Sequence, residues 1–216
     1  MLKSIIQRIL RLGGRELCRY SENERDEASR LEWDTESLNY KEFQVARTLA
    51  AGGHITLDEA RFLASLVNQT DSSDPIIEIG TLFGFSTLVL AMNKAQSQKL
   101  LTVDKYVWNP LGISPLAHEL ATQAVLEDAC THHNVEIIRQ DKDVFYKNYQ
   151  GQKPGLFFCD ANHDYQPTLD DLTWARSIGA KIICGHDYDP HKFPGVVRAV
   201  KELGGASKIV GSIFVL

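Results

Sequence analysis

Two short segments in the second half of the chain carry side chains that could do acid–base or metal chemistry. Asp160 is followed three residues later by His163, and His186 directly precedes Asp187. Carboxylate and imidazole groups suit a divalent cation such as Mg²⁺ or Mn²⁺. A neutral histidine is also a suitable general base near pH 7. The pattern therefore predicts a metal site, a proton-accepting histidine, or both.

A glycine-containing stretch nearer the middle of the chain has the form of a ligand-binding turn. Residues 78–86 read Glu-Ile-Gly-Thr-Leu-Phe-Gly-Phe-Ser and lie between an apolar run and a helical pattern. Glycine permits a tight turn and a close approach of ligand to backbone. The spacing of Gly80 and Gly84 is GxxxG, which differs from the GxGxxG of dinucleotide binders. Glu78 is a poor neighbour for a pyrophosphate but a good one for a cationic ligand.

Further candidate binding residues follow the next two predicted strands. Asp104, with Lys105 beside it, lies 24 residues beyond Gly80. An acid about 20 residues past such a turn typically binds ribose hydroxyls. Gln140 and Asp141 follow the third predicted strand, where a polar group could bond an adenine amine. Ribose binding would serve a nicotinamide cofactor as well, so Asp104 alone does not distinguish the two kinds of cofactor.

The elements that must position these residues alternate regularly from residue 75 onward. Short apolar runs without polar alternation suit parallel strands buried on both faces. The predicted strands are Ile76–Ile79, Leu100–Val103, Val135–Ile138, Leu156–Cys159 and Lys181–Cys184, and two short β-rich pieces follow within 208–216. The predicted helices between and after them are Thr87–Asn93, Leu116–His132, Pro167–Ile178 and Val196–Leu203. This alternation predicts right-handed crossovers and an open α/β sheet, whose carboxyl edge binds ligands.

The first 54 residues are predicted to be a helical extension and connector, followed by the main domain over 55–216. Residues 1–12 show apolar side chains at helical spacing with three bases between them, which predicts a short amphipathic helix. Such a helix could pack on its own domain, on a second subunit or on a membrane surface. Residues 21–42 hold eight acids and three bases, which accounts for the whole net charge of −5. Thr56 to Glu59 resembles a capping box that opens a helix through Leu66.

Composition narrows the class of protein. The 216 residues are 44% hydrophobic and 24% charged, which is typical of a soluble globular protein. Outside 21–42 the charge sums to zero, so we expect no nucleic-acid partner. The apolar runs are too short for stable membrane insertion. Cysteines at 18, 130, 159 and 184 show no CxxC spacing, which predicts reduced thiols and a cytoplasmic location. Histidines at 118, 132, 133 and 191 are expected at the surface.

Over residues 55–216 the chain resembles the class I S-adenosylmethionine-dependent methyltransferases. The Asp-x-x-His-x-Tyr piece at 160–165 and the His-Asp-Tyr piece at 186–188 resemble a family of small bacterial methyltransferases that includes sugar and antibiotic O-methyltransferases. The layout is also similar to catechol-type O-methyltransferases. The resemblance implies a Rossmann-like, doubly wound sheet of about seven mostly parallel strands with the last one antiparallel.

The resemblance also implies roles for individual residues. Asp160 becomes a metal ligand, His163 the general base and Asp187 the second metal acid. His186 occupies the position next to Asp187, where metal-dependent relatives usually carry a carboxylate or an asparagine. The metal set is therefore Asp160, Asp187 and His186, with Mg²⁺ or Mn²⁺ as the ion. The S-adenosylmethionine site comprises Glu78, Gly80, Thr81, Gly84, Phe85, Ser86, Asp104, Lys105, Gln140, Asp141 and Asp160.

The function predicted from the sequence is methyl transfer from S-adenosylmethionine to a small hydroxylated acceptor, such as a sugar or a phenol. The uncharged segment over 107–115 is a candidate lid over a dry pocket. A homodimer is a further expectation, since relatives are often dimers. Two other functions stay open at this point. One is a nicotinamide-dependent oxidoreductase, and the other is a non-catalytic module that binds cofactor or a partner only.

Overall fold

Seven strands and six helices alternate along residues 55–216, the part of the chain that the computed structural model describes. The helices are α1 (Leu57–Val67), α2 (Phe85–Asn93), α3 (Pro115–His132), α4 (Lys142–Asn148), α5 (Tyr165–Ser177) and α6 (Pro194–Glu202). The strands are β1 (Ile76–Ile79), β2 (Leu100–Asp104), β3 (Val135–Arg139), β4 (Leu156–Cys159), β5 (Ile182–Gly185), β6 (Lys208–Val210) and β7 (Ile213–Val215). The predicted N-terminal helix, the acidic connector over 21–42 and Cys18 lie outside the described residues.

All seven strands belong to one sheet with the order β3-β2-β1-β4-β5-β7-β6. Strands β1 to β5 are parallel, and in the centre Ile76 pairs with both Leu100 and Leu156. Strand β7 runs antiparallel to its neighbours β5 and β6. The predicted Rossmann-like sheet with an antiparallel last strand is thereby confirmed. The chain reverses its direction of travel across the sheet between β1 and β4, which is where sheets of this type bind ligands.

The central strands are buried on both faces, as their unbroken apolar runs predict. Every residue of β1 and β4 is buried. Side chains such as Ile76 and Leu156 pack against helices α1 to α3, whereas Ile77 and Phe157 face the opposite layer with α4 to α6. Burying one such side chain is worth about 1.5–3 kcal/mol, so this sandwich supplies much of the free energy that holds the carboxyl edge in place.

Helix α1 begins at the predicted capping box. The Thr56 hydroxyl accepts a hydrogen bond from Glu59 N at 3.3 Å, and Glu59 Oε2 accepts one from Thr56 N at 2.8 Å. The helix continues to Val67, one residue beyond the predicted end. This box brings a carboxylate to the carboxyl edge of the sheet, where Glu59 is only 3% exposed.

Helix α4 was not predicted from the sequence, because its seven residues are too few to show a helical period. It begins where the Asp141 side chain accepts a hydrogen bond from Asp143 N at 2.9 Å. Phe145 buries its ring in the core, and Lys142 reaches the fully buried Asp171 at 2.5 Å. Tertiary contacts of this kind stabilise a helix that would be marginal alone.

The predicted thiol environments agree with the structure. Cys159 and Cys184 are buried, and both, like Cys130, are free cysteines. Among residues 55–216, no helix combines the length and apolarity needed to cross a membrane.

Gly80 follows β1 and lies against the backbone that follows β4 at the carboxyl edge of the sheet. Its φ is +99°, and a Cβ atom at this position would lie 2.0 Å from the Asp160 carbonyl oxygen. No other residue type fits there without displacing the backbone of the β4 loop. A glycine is therefore required at position 80 both by the positive φ and by the Asp160 backbone beside it.

We expect Gly80→Ala to destabilise the domain by more than Gly204→Ala, its matched control. Gly204 has a similar φ of +103° but open space around it, so both variants carry backbone strain of about 1–3 kcal/mol. Only the variant at 80 adds a clash with backbone. Chemical denaturation of both proteins measures the difference, and equal losses of stability would contradict the close approach.

Candidate active site

The predicted site residues lie in two adjoining clusters at the carboxyl edge of the sheet. We call the residues that follow β1, β2 and β3 the turn cluster, and those that follow β4 and β5 the acid–histidine cluster. The turn cluster contains Glu78, Gly80, Thr81, Gly84, Phe85, Ser86, Asp104, Lys105, Gln140 and Asp141. The acid–histidine cluster contains Asp160, His163, His186 and Asp187. They meet where Gly80 abuts the Asp160 backbone.

Glu78 lies beneath the turn with no solvent exposure. Its carboxylate accepts hydrogen bonds from Ser86 and Thr87 at 2.5 Å each, and from Thr102 at 2.7 Å. Burial raises the pKa of Glu78 to about 7, against the effect of these three donors. Because the hydroxyls belong to the start of α2 and to β2, the carboxylate fixes the beginning of that helix. Its direct contact with a cofactor stays a prediction.

Asp104 holds the turn from the side of β2. Its Oδ2 accepts hydrogen bonds from Thr81 N at 3.0 Å and Leu82 N at 2.9 Å. Its Oδ1 accepts one from Tyr106 N at 2.7 Å, and the side chain is partly exposed. The carboxylate therefore shapes the turn, and its contact with a ribose stays a prediction.

The residues after β3 lie beside Asp104. Gln140 N donates to the Asp104 carbonyl at 3.0 Å, which aligns the ends of β2 and β3. Lys105 Nζ lies 3.5 Å from the carboxylate of Asp141. The hydrogen bond from Asp143 N and the charge of Lys105 outweigh the small effect of burial and lower the pKa of Asp141. All four predicted residues at the ends of β2 and β3 are thus neighbours.

His118 was predicted at the surface, and this prediction is wrong. The ring is fully buried, with Nε2 2.9 Å from the Leu82 carbonyl oxygen, which also accepts a hydrogen bond from Thr122 at 2.6 Å. Leu82 has a φ of +47°, and these two contacts show that its carbonyl is directed toward α3. The spacing of His118, Thr122 and Leu126 on one helix face was the signal that could have revealed this burial.

The loop between β2 and α3 presents apolar side chains to solvent. Asn109 closes it by a pair of hydrogen bonds to the backbone of Ile113, at 2.9 and 3.0 Å. Trp108 and Leu111 are both about two-thirds exposed. The loop is therefore an ordered apolar surface next to the turn cluster, and its action as a lid stays a prediction.

In the acid–histidine cluster, His163 and Asp187 form a direct pair. His163 Nε2 lies 2.8 Å from Asp187 Oδ2. His186 Nδ1 lies 3.4 Å from the other oxygen of Asp187 and 3.7 Å from Asp160 Oδ1. Asp187 has a φ of +61°, which a short polar residue such as aspartate tolerates better than most. Its carboxylate thus lies between two imidazoles.

The loop that carries His163 is held by α5 and α6. Thr168 donates to the Asn162 carbonyl at 2.9 Å, and the His163 ring packs on Phe193 at 4.5 Å between centroids. A Cβ on Gly195 would lie 2.6 Å from the His163 carbonyl oxygen. The glycine at position 195 is therefore what allows α6 to approach the loop.

The charges of the cluster shift the pKa values of its members in opposite directions. Burial raises the pKa of Asp160, although His186 opposes it. Burial also acts against ionised Asp187, but hydrogen bonds from His163 and His186 prevail and hold the pKa of Asp187 well below its usual range. For His163, burial lowers the pKa, and the contact with Asp187 together with the charge of Asp160 more than reverses this.

Three of these side chains could also hold a divalent cation. Asp160, His163 and Asp187 each offer a ligand atom, and these atoms lie within 4.8 Å of one another. Two carboxylates and an imidazole form a donor set that suits Mn²⁺ or Mg²⁺, so the residues fit such an ion. His163, predicted as the base, belongs to this set. His186, predicted as a ligand, packs behind it against the two acids.

Comparisons with known proteins agree with the architecture. A family model described as a methyltransferase domain matches residues 77–188, slightly more than half of the chain. A comparison with curated proteins gives no match.

Several solved structures share the fold. An O-methyltransferase from Bacillus cereus in complex with SAH has a TM-score of 0.63 at 21% identity, over 84% of this chain and 93% of that one. The O-methyltransferase TomG from Streptomyces achromogenes, in complex with SAM, has a TM-score of 0.63 at 19% identity, over 91% and 99%. CalS11, described as a TDP-rhamnose 3'-O-methyltransferase, has a TM-score of 0.56 at 17% identity, over 92% and 96%. At these identities the likeness shows the fold alone.

We expect the pKa of His163 in the folded protein to lie above its ordinary value of 6.5. Asp187→Asn should lower it, because the variant removes the charge that favours the imidazolium. A pKa raised by folding adds stability that is fully present below pH 6.5 and is lost as the pH rises through the raised pKa. NMR titration of the His163 ring protons in metal-free protein measures the shift. Asp189→Asn is the control, since this nearby carboxylate bonds the backbone amides of His191 and Lys192 and not the His163 ring. An unchanged pKa in Asp187→Asn would contradict the pairing.

Proposed function

The chain belongs to the methyltransferase-domain family as a class I S-adenosylmethionine-dependent enzyme, and we propose that it methylates an oxygen of a small hydroxylated acceptor. The observation that carries this proposal is the His163–Asp187 pair at 2.8 Å, beside Asp160 at the edge of the sheet. A hydroxyl is a weak nucleophile when neutral, so an oxygen acceptor is the kind of substrate that needs such a base. The O-methyltransferases among the solved structures of this fold support the same choice.

The turn cluster fits the cofactor. When bound, S-adenosylmethionine supplies an electrophilic methyl group on a positively charged sulfur. Gly80 lets the turn lie directly against the Asp160 backbone, which brings the two clusters together. Asp104, which is partly exposed, is proposed to accept hydrogen bonds from the ribose hydroxyls. Lys105, Gln140 and Asp141 lie beside Asp104 and are proposed to border the adenosine. Glu78 supports the turn from below by its hydrogen bonds with Ser86 and Thr87.

The acid–histidine cluster is proposed to prepare the acceptor. In the tautomer that donates Nε2–H to Asp187, the Nδ1 atom of His163 is left as the proton acceptor. Asp187 then stabilises the imidazolium that forms, while Asp160 adds a second negative charge nearby. Because the base must be neutral, the rate should rise with pH through the raised pKa of His163.

A divalent cation, if held by Asp160, His163 and Asp187, would lower the pKa of the acceptor hydroxyl. The direct hydrogen bond between His163 and Asp187 supports the alternative arrangement, in which no cation is held by His163 and the histidine alone removes the proton. We therefore propose metal assistance by Mg²⁺ or Mn²⁺ as a separate, testable component. Membership of the methyltransferase family favours methyl transfer over a nicotinamide-dependent reaction. A small-molecule acceptor and a homodimer stay proposals.

We expect Asp104→Ala to weaken the binding of S-adenosylhomocysteine by about 1–3 kcal/mol, which is a factor of about 5 to 150. The variant leaves ribose hydroxyls and the amides of Thr81 and Leu82 without their acceptor. Isothermal titration calorimetry measures the affinity. Asp128→Ala removes a carboxylate of α3 whose side chain is 73% exposed, and it serves as the control. Equal affinities in the two variants would rule out a ribose role for Asp104.

We expect His163→Ala to keep its affinity for S-adenosylhomocysteine and to lose turnover by about 10²- to 10⁴-fold. Turnover is followed as S-adenosylhomocysteine released from S-adenosylmethionine with a panel of catechols, sugar nucleotides and free sugars. His191→Ala, at an exposed histidine, is the matched control.

The same assay separates the alternatives. Unchanged turnover in His163→Ala would assign the base elsewhere, and cofactor binding without turnover across the panel would favour a non-catalytic module. Activity that survives excess EDTA would remove the metal from the mechanism, whereas activity restored by Mg²⁺ or Mn²⁺ would retain it.

A further inference from the structure

A buried carboxylate outside the predicted site reaches the acid–histidine cluster from helix α1. Glu59 uses one oxygen, Oε2, for the capping box with Thr56. Its other oxygen, Oε1, accepts hydrogen bonds from the Ser212 backbone N at 2.5 Å and from the Ser212 hydroxyl at 2.8 Å. The helix cap requires only the first of these oxygens, so it does not explain the second set of contacts.

Ser212 connects this carboxylate to an imidazole. The Ser212 hydroxyl oxygen lies 2.8 Å from His186 Nε2, and Glu59 Oε1 lies 3.7 Å from the same nitrogen. The side chain of His186 is 6% exposed, and its Nδ1 faces Asp160 and Asp187 on the opposite side. The ring is therefore held between one acid on α1 and two acids that follow β4 and β5.

The contacts continue to the proposed base. Asp187 turns one carboxylate oxygen toward His186 and bonds His163 with the other. A rotation of the His186 ring would remove the nitrogen that lies 3.4 Å from Asp187 Oδ1, so the carboxylate would keep its bond to His163 but lose this second contact. A continuous series of contacts thus leads from Glu59 through Ser212, His186 and Asp187 to His163.

We propose that Glu59 is a positioning residue of the active site, which acts through Ser212 and His186 on the carboxylate that orients His163. The proposal rests on the proposed function only in naming His163 as the base. The contacts join α1, the turn between β6 and β7, and the end of β5, which are three separate parts of the chain.

The charge on Glu59 agrees with this role. Burial acts to raise its pKa, but the contacts with His186, Ser212 and Thr56 prevail and lower it to about 2. The carboxylate is therefore ionised at neutral pH. An ionised, buried acid is stable only with its hydrogen-bond partners in place. Glu59 therefore has a fixed position from which it can orient the His186 ring.

The test follows the ring nitrogens of His186 and His163 by NMR in the full chain labelled with ¹⁵N-histidine and treated with EDTA. Single His→Gln variants at 163 and 186 assign the signals. We expect Glu59→Gln and Ser212→Ala to shift the signals of both rings, and Ser212→Thr, which keeps the hydroxyl, to restore them. The affinity for S-adenosylhomocysteine should not change. Glu136→Gln removes an exposed acid paired with Lys99 at 2.8 Å and should leave both rings unaltered.

A shift confined to His186, or no shift of either ring, would overturn the proposal. Ser212→Ala leaves the bonds between Thr56 and Glu59 untouched, so it provides the test even if Glu59→Gln loses its helix cap and fails to fold. The ring signals do not depend on turnover. A chain without methyltransferase activity would still show whether Glu59 controls the orientation of His163, so the two proposals fail separately.

Discussion

The contact between Gly80 and the carbonyl oxygen of Asp160 is the constraint on which the rest of the site depends. It closes the gap between β1 and β4, the strands at which the chain reverses its direction across the sheet. The turn cluster lies on one side of this contact and the acid–histidine cluster on the other. In the proposed function, a cofactor above β1 and a hydroxyl above β4 would be neighbours, because the two backbones meet without a side chain between them.

Both clusters contain buried or partly buried carboxylates, but different chemical groups stabilise the negative charge in each. Glu78 is surrounded by hydroxyl groups, which stabilise its charge without carrying any themselves, and burial raises its pKa to about 7. Asp160 and Asp187 face imidazoles, which can carry a full positive charge. The hydroxyl donors hold the Glu78 carboxylate against the start of α2, whereas the imidazoles give the acid–histidine cluster groups that are able to accept a proton.

The sequence predicted the five parallel strands to within a residue or two, because their buried apolar runs are local signals. It also grouped Asp160, His163 and Asp187, since carboxyl ends of adjacent parallel strands share an edge. Helix α4 and the burial of His118 were missed because distant residues stabilise them. The capping box at Glu59 was predicted. The contact of the other Glu59 oxygen, Oε1, with Ser212 was not, because the two residues lie far apart in the sequence.

The position of β7 has a consequence for the order in which the protein is made. This strand inserts between β5 and β6, and the turn before it supplies Ser212. On the ribosome, the five parallel strands emerge before this hairpin, so β5 is left as an open, apolar edge until the hairpin docks. Nascent chains are prone to unwanted pairing while such an edge is uncovered. The same docking event that protects the edge also brings the serine to His186.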